Sequence, residues 1–306
     1  MIHLRNFILI ALLVVSVLIT ACTQEADPVY TIVQGKLPAD IKEAEFHSGE
    51  DWETFSLAAD GTFSDTLEIT SPQYVTLSFG DLATRVYLTP GDAVNISVDS
   101  ALSFSGSNKR INDYLYQSYL DEEARGSFEF KNHEAIFRKG EVEYIQFRDS
   151  IRSAKLTQLE QLPAETEAFQ DFHKKNIEYQ YQYDVARYPS YHSYYFNDYE
   201  PTQLITSFHK RAVLDNEEDA RHYSAYRSLV NYVLDDQVVK LEDTTLSPLE
   251  AALSVIKDIQ SPTILHDRLS RSLNNFTVND EDMEGTRDKL LSMAKLDRTK
   301  AEINEY

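Results

Sequence analysis

Glycine is distributed unevenly along this 306-residue chain, and the distribution divides the sequence into two parts. Six of the nine glycines recur through residues 35–106, whereas none occurs between Gly140 and Gly285. Because glycine is common in hairpin turns and disfavoured inside helices, the first part is predicted to be β-structure and the second helical. We therefore expect an α+β chain with segregated regions, in which a small antiparallel β-sandwich domain at 30–107 precedes an α-helical domain at 108–306.

Apolar and polar residues alternate in short segments of the first part. Val75, Leu77 and Phe79 share one face of the segment 74–79, and the segment 93–99 repeats the pattern. A period of two is typical of a strand with one buried face, and about seven such strands at this spacing favour a sandwich. The predicted strands cover residues 29–37, 43–47, 54–57, 63–69, 74–79, 85–88 and 93–99.

Two turn sequences join predicted strands. The Thr-Pro-Gly-Asp sequence at Thr89–Asp92 lies between the strands 85–88 and 93–99, and it predicts a hairpin that pairs them. Asp60–Gly61 is a second turn signal between two predicted strands.

After residue 107 the apolar residues recur every three or four positions. Ile111, Leu115 and Tyr119 share one face of a helix that Asn108 is predicted to cap and Gly126 to end. Further helices are predicted by the same spacing, with proline marking two of the breaks. They cover residues 141–162, 164–188, 202–214, 218–234, 247–258, 262–274 and 281–297.

The N-terminus has the pattern of a secretory signal. Arg5 precedes an apolar run at Phe7–Ile19, whose 13 residues are fewer than the roughly 20 that a membrane-spanning helix needs. The following sequence, Ile19–Cys22, resembles the bacterial lipobox, in which the cysteine thiol is acylated and the preceding bond is cut.

A lipobox implies a membrane anchor. Residues 1–21 are predicted to be a lipoprotein signal peptide, residues 22–29 a polar tether, and Cys22 the lipidation site that attaches the chain to a membrane. The alternative is an ordinary secretory signal followed by an unrelated cysteine.

Charge and cysteine content exclude several classes of function. The 50 acidic and 29 basic residues give a formal charge of -21, which repels the phosphate backbone of a nucleic acid. Cys22 is the only cysteine, so the chain has no intramolecular disulfide, CxxC centre or cysteine-rich metal site.

Motifs for catalysis and cofactor binding are also missing from the sequence. It contains no HExxH, GxSxG, P-loop or dinucleotide-binding glycine motif. The acidic stretch Asp280–Gly285 lacks the glutamate that a calcium loop has at its twelfth position, which here is Leu291. We predict no catalytic residue, no metal site and no cofactor.

The stretch from Tyr179 to Tyr199 is the richest in aromatic residues, with nine Tyr or Phe. Aromatic side chains with polar neighbours can stack on sugars or hold peptides, but tyrosine also fills the seams between helices. Core packing is the favoured interpretation. The candidate ligand-binding residues, placed in a predicted loop, are Tyr191, Tyr194 and Tyr195.

The order of these features resembles the N-terminal part of envelope-anchored thiol-disulfide oxidoreductases of the TlpA-like, thioredoxin-fold family. The residues that match are Cys22, Val86–Asp92, Phe104–Gly106 and Asn108–Leu115. The resemblance implies a small β-domain and a helical domain, followed by a thioredoxin domain with a Trp-Cys-x-x-Cys motif. No position matches that motif, because Trp52 and Cys22 are the only residues of their kinds.

The resemblance without the motif implies a protein that is not an enzyme, either a truncated or split gene product or a relative that works without the redox domain. We expect a non-catalytic cell-envelope lipoprotein, on the periplasmic or outer-membrane face, equivalent to the anchoring and client-facing part of such an oxidoreductase. Its expected partners are the membrane, a thioredoxin-fold chain or a client protein. The alternative is a stand-alone binding lipoprotein that holds a glycan or peptide on its tyrosine-rich surface; an enzyme that uses carboxylates alone is a third possibility.

Overall fold

The computed structural model describes residues 30–38, 40–41, 43–48, 51–80, 82–99, 101–242, 246–273 and 283–305. Cys22, the signal peptide predicted before it and the tether predicted after it lie outside these residues, as do the first three residues of the acidic stretch at 280–285. The described residues form β-strands first and helices afterwards, which confirms the segregated α+β fold class.

Eight strands form two four-stranded sheets. Sheet A has the order β4-β1-β7-β8 and sheet B the order β3-β2-β5-β6. One continuous apolar core, with members from both sheets, fills the space between them, as the alternation predicts. The strands are β1 (Tyr30–Lys36), β2 (Glu43–Ser48), β3 (Asp51–Ser56), β4 (Thr62–Glu68), β5 (Gln73–Phe79), β6 (Leu82–Leu88), β7 (Ala93–Val98) and β8 (Leu102–Gly106).

The turn at Thr89–Asp92 does not form the predicted hairpin. It is a tight turn, in which the N–H of Thr89 donates to the carboxylate of Asp92 at 2.5 Å. However, β6 belongs to sheet B and β7 to sheet A, so the turn carries the chain from one sheet to the other. The turn at Asp60–Gly61 likewise leads from sheet B to sheet A. Turn residues determine that the chain reverses direction, but they do not determine which strands pair. The prediction of a hairpin at Thr89–Asp92 was wrong for this reason.

Among the described strands, one pair is parallel rather than antiparallel. β1 runs parallel to β7, and Gly35 lies opposite Ile96. A Cβ atom built on Gly35 would lie 1.7 Å from the carbonyl oxygen of Ile96, so this pairing requires glycine. The strand β8 was not predicted; its Leu102 and Phe104 are buried in the sandwich core.

The helical region contains helices of very different lengths. α4 lies at its centre and packs against α3 and α8. The helices are α1 (Lys109–Lys131), α2 (His133–Phe137), α3 (Glu141–Glu160), α4 (Glu167–Ala186), α5 (Tyr188–Ser193), α6 (Gln203–Arg211), α7 (Glu217–His222), α8 (Ser224–Glu242), α9 (Pro248–Ile256), α10 (Pro262–Leu273), α11 (Met283–Met293) and α12 (Asp297–Glu305). No helix within the described ranges is both long enough and apolar enough to span a bilayer.

Both ends of α1 differ from the prediction. Asn108 adopts a left-handed φ of 55°, and its amide donates to the Asp92 carboxylate at 2.6 Å instead of capping the helix. Gly126 does not end α1, which continues to Lys131. Ion pairs with α3 hold the helix on both sides of this glycine, from Glu122 to Lys155 and from Glu129 to Arg148.

The two regions meet where α1 and α4 cover the outer face of sheet B. Asn112 of α1 is fully buried, and its side chain accepts a hydrogen bond from the N–H of Tyr87 at 2.7 Å. Because β6 is an edge strand, this amide takes the place of a neighbouring strand. The apolar residues shared by the two regions are Tyr87, Ile111, Leu115, Leu159, Phe169 and Ile177.

Candidate functional site

A cavity of about 540 Å³ lies at the junction of the two regions, between the outer face of the β5–β6 pair and helices α1, α3 and α4. We call it the junction cavity. Small-molecule sites commonly occur at such junctions, in clefts of about 300–1,000 Å³. Its lining residues include Thr76, Ala83, Arg85, Tyr114, Leu115, Glu122, Arg125, Ile151, Lys155, Gln158, His173, Asn176, Ile177 and Gln180.

The alternation of β5 and β6 explains which of their side chains face the helices. Val75 of β5 and Val86 of β6 point into the sandwich core, so the intervening residues point outwards. Tyr74 pairs with Tyr87 and Thr76 with Arg85 across the two strands. The helices bury the tyrosine pair, whereas the pair of Thr76 and Arg85 borders the junction cavity.

An aromatic cluster surrounds His173 on one side of the cavity. The ring of His173, only 8% exposed, is stacked on Phe169 with 5.2 Å between centroids. Tyr114 approaches it edge-on at 5.4 Å. Behind it, the Tyr74 hydroxyl lies 2.5 Å from Nδ1 of His173. His173 is therefore held in one orientation by contacts from both regions of the protein.

The tyrosine–histidine pair is uncharged at neutral pH. Burial, and then the positive charges of Lys155 and Arg85, lower the pKa of His173 to about 3. Burial raises the pKa of Tyr74 well above its usual value. Both groups are therefore neutral. We assign the phenol as the donor to Nδ1, and in this tautomer the imidazole proton is on Nε2. Nε2 has no hydrogen-bond partner among the described residues, so this atom is a neutral donor at the cavity.

Charged side chains line the cavity on the side of α1 and α3. Glu122 accepts a hydrogen bond from Lys155 at 2.6 Å and lies 3.8 Å from Arg125. Burial alone would raise the pKa of Glu122, but Lys155, Arg85 and Arg125 together lower it. Arg85 itself makes no hydrogen bond or ion pair with any described residue, and its Cζ lies 6.0 Å from the ring centroid of Tyr74.

A second cavity of about 230 Å³ adjoins the first and shares several lining residues with it, including Lys155. Here Arg148, only 3% exposed, donates to both carboxylate oxygens of Glu129 at 2.8 and 2.9 Å. Its Nε also donates to the hydroxyl of Tyr144 at 3.0 Å. Five basic and three acidic side chains line this cavity, which is an unusual surplus of positive charge in so acidic a chain.

The structure places the predicted ligand-binding tyrosines away from the junction cavity. Tyr191 lies inside α5, not in a loop, and stacks on Phe137 with 4.6 Å between centroids. The hydroxyl of Tyr195 lies 2.8 Å from Nδ1 of His133. Tyr194 is 80% exposed and contacts the ring of Tyr195 edge-on. Tyr191 and Tyr195 thus take part in packing around His133, while Tyr194 is the most accessible of the three.

The residues that define the junction cavity were not predicted from the sequence. Arg85 falls on the polar face of a predicted strand, where a charged residue ordinarily faces solvent. Asn176 was the stronger signal, because it is a polar residue on the otherwise apolar face of α4. Its side chain lines the cavity and has no hydrogen-bond partner among the described residues. In the part of the chain that the structure describes, no group of three or more potential metal ligands converges.

Comparison of the chain with protein-family models, with curated proteins and with solved structures finds no match. The candidate site therefore rests on its own geometry.

Proposed function

We propose that the protein is a non-catalytic binding protein of the cell envelope, which holds its ligand in the junction cavity. One observation carries the proposal: an open cavity between the two regions presents polar groups that find no partner among the described residues, namely Arg85, Asn176 and Nε2 of His173. Unpaired donors beside an aromatic surface favour the binding of a ligand that can accept hydrogen bonds.

The protonation state of the pair at the cavity favours binding over catalysis. A general acid or base needs a pKa near the working pH. With a pKa of about 3, His173 stays neutral through the physiological range and exchanges no proton there. Its role in the proposal is to donate a hydrogen bond from Nε2.

The size of the cavity limits the ligand. A volume of about 540 Å³ accommodates a few amino-acid residues or one or two sugar rings, but not the surface of a folded partner. The resemblance to the client-facing part of an oxidoreductase suggests a peptide segment, supplied either by a client protein or by a thioredoxin-fold chain.

The binding proposal is tested with peptide and oligosaccharide arrays. We compare the wild-type chain with the variant Asn176→Trp, whose added indole occupies part of the junction cavity. Ligands that bind the wild type are expected to bind the variant at least about tenfold more weakly. Circular dichroism spectra check that the variant folds.

Tyr194→Ala is the matched control, because it removes an aromatic side chain outside the cavity. A ligand that no longer binds Tyr194→Ala but still binds Asn176→Trp would place the binding site on the tyrosine-rich surface. This is the alternative site for a glycan or peptide. Arrays that yield no ligand at all would contradict both versions of the proposal.

Membrane attachment through Cys22 is part of the same proposal and has its own test. Intact-mass analysis of the chain from a membrane fraction should show acyl groups on Cys22, and Cys22→Ala should move the chain to the soluble fraction. A free Cys22 thiol that reacts with maleimide would contradict the anchor but not the binding site.

A further inference from the structure

Arg85 differs from every other basic residue that lines the two adjoining cavities. The other five each contact a carboxylate of the protein: Arg125, Arg148, Arg152, Lys155 and Arg187. Arg85 contacts none among the described residues, although the chain has 50 acidic residues. An exposed guanidinium that pairs with no described carboxylate is available to a carboxylate from outside.

The fold restricts where this guanidinium can go. Arg85 pairs with Thr76 in the register of the rigid β5–β6 pair, and it lies over the ring of Tyr74. Tyr74 is in turn hydrogen-bonded to His173. Arg85 is exposed, and this register places it at the border of the junction cavity, where its planar donors can bind both oxygens of one carboxylate.

Glu122, the cavity carboxylate whose pKa Arg85 helps to lower, forms its ion pairs with other residues. Glu122 is occupied by Lys155 at 2.6 Å and by Arg125 at 3.8 Å. Asp121 and Glu123 are exposed, as is Arg85 itself, so solvent and salt screen their interactions beyond about 8–10 Å. A ligand carboxylate that binds inside that range pairs with the Arg85 guanidinium directly.

The rest of the cavity is suited to a less polar group. The ring of Tyr114 and the side chains of Leu115, Ile151 and Ile177 line it, together with the neutral donors of His173 and Asn176. An apolar side chain can pack against the first set while a peptide carbonyl accepts from the second. The two sets lie beside Arg85 in one cavity.

We infer that the junction cavity binds the C-terminal residue of a peptide that ends in an apolar or aromatic side chain, with its carboxylate on Arg85. The inference rests on the proposed function and specifies its ligand class. Free N-acyl amino acids share this chemistry, so they are a separate arm of the test.

The experiment is isothermal titration of the full mature chain with three probes. These are acetyl-Ala-Ala-Ala-Phe with a free carboxylate, the same peptide as its C-terminal amide, and N-acetyl-phenylalanine. We expect the free acid to bind at least about tenfold more tightly than the amide, because only the acid can pair with Arg85. Binding of N-acetyl-phenylalanine as tight as that of the peptide would assign the site to free acylated amino acids.

Variants assign the effect to the guanidinium. Arg85→Gln should weaken binding of the acid by about tenfold and leave binding of the amide unchanged. Arg85→Lys should restore part of the affinity, since it keeps the charge but not the planar donors. Lys36→Gln is the matched control, because it removes one exposed positive charge from sheet A, away from the cavity, and should change nothing.

Two outcomes would overturn the inference. One is equal binding of acid and amide with no effect of Arg85→Gln; the cavity would then bind ligands without using this charge, and the proposed function would stand. The other is the absence of any binding of the acid up to about 1 mM. The proposed function fails separately, when the arrays yield no ligand or when ligands are insensitive to Asn176→Trp.

Discussion

The β-sandwich and the helical region fill their interiors in different ways. The sandwich has one continuous apolar core that joins both sheets. The helical region divides its apolar residues among several clusters, the largest of them about as large as the sandwich core, and buries charged or titratable side chains among them. Those buried groups include Arg148, His173, His192, Asp219 and Arg268.

Each buried group in the helical region has a specific partner. Arg148 is paired with Glu129, and Arg268 is paired with Asp235. Removing one member of a buried ion pair leaves the other without compensation, whereas an apolar core tolerates many apolar exchanges of similar volume. The stability of the sandwich therefore depends on the distance between backbones and is sensitive to added side-chain volume. The stability of the helical region depends on matched polar contacts and is sensitive to the protonation of buried groups.

The largest effect is expected from Gly35→Ala in the sandwich. The new Cβ would lie 1.7 Å from the carbonyl oxygen of Ile96, and neither backbone can move without separating β1 from β7. We expect the free energy of unfolding to fall by about 3 kcal/mol, at the upper end of the usual cost of overpacking. Urea unfolding measures the loss, and faster amide hydrogen exchange in β1 and β7 would locate it. A loss under about 1 kcal/mol would contradict this parallel pairing.

A pH-dependent effect of intermediate size is expected in the helical region. In the folded chain the pKa of His173 is about 3, well below the 6.5 of an ordinary histidine, so between these values only the unfolded chain takes up this proton. Stability from the neutral imidazole is thus complete above pH 6.5 and decreases as the pH falls towards 3. Glutamine does not titrate, so His173→Gln lacks this pH-dependent contribution. The advantage of the wild type over the variant in the free energy of unfolding should therefore shrink by about 2 kcal/mol from pH 6.5 to 4.5.

Tyr74→Phe serves as the control for that measurement. It removes the hydrogen bond to Nδ1 but retains the burial of His173 and the nearby charges of Lys155 and Arg85, which are the causes of the lowered pKa. Its stability should show the same pH dependence as the wild type, displaced by a constant amount. If the profiles of wild type and His173→Gln run parallel instead, the buried imidazole is not held neutral.

The same difference between the regions decides how much could be predicted from the sequence. Alternation and glycine placement predicted the two-part organisation and seven of the eight strands, because both follow from local burial. The strand β8 was missed because Leu102–Gly106 is short and has only two buried apolar residues. The pairing of β1 with β7 could not be predicted, because it depends on the close approach at Gly35 between segments far apart in the chain.

The candidate site was less predictable than the fold. Arg85 and His173 are brought together only when β6 packs near α4, so no local spacing relates them. Asn176 is a polar residue on an otherwise apolar helix face, which indicates a polar environment. The sequence does not show whether that environment is a hydrogen-bond partner or a cavity. The lipid anchor predicted at Cys22 lies outside the described residues and stays a prediction.

The smallest effect, and the only gain, is expected from Gly126→Ala in α1. A Cβ atom built there meets nothing within 4 Å, and the helix continues to Lys131. Alanine restricts the unfolded chain more than glycine does and fits a helix without strain, so the free energy of unfolding should rise by about 0.5–1 kcal/mol. Urea unfolding of Gly126→Ala and Gly35→Ala compares the same type of substitution in the two regions. The change in the free energy of unfolding should have opposite signs. A loss of stability at Gly126 would instead mean that α1 ends at this glycine, as its sequence alone suggests, and that Glu129 does not reach Arg148 along a continuous helix.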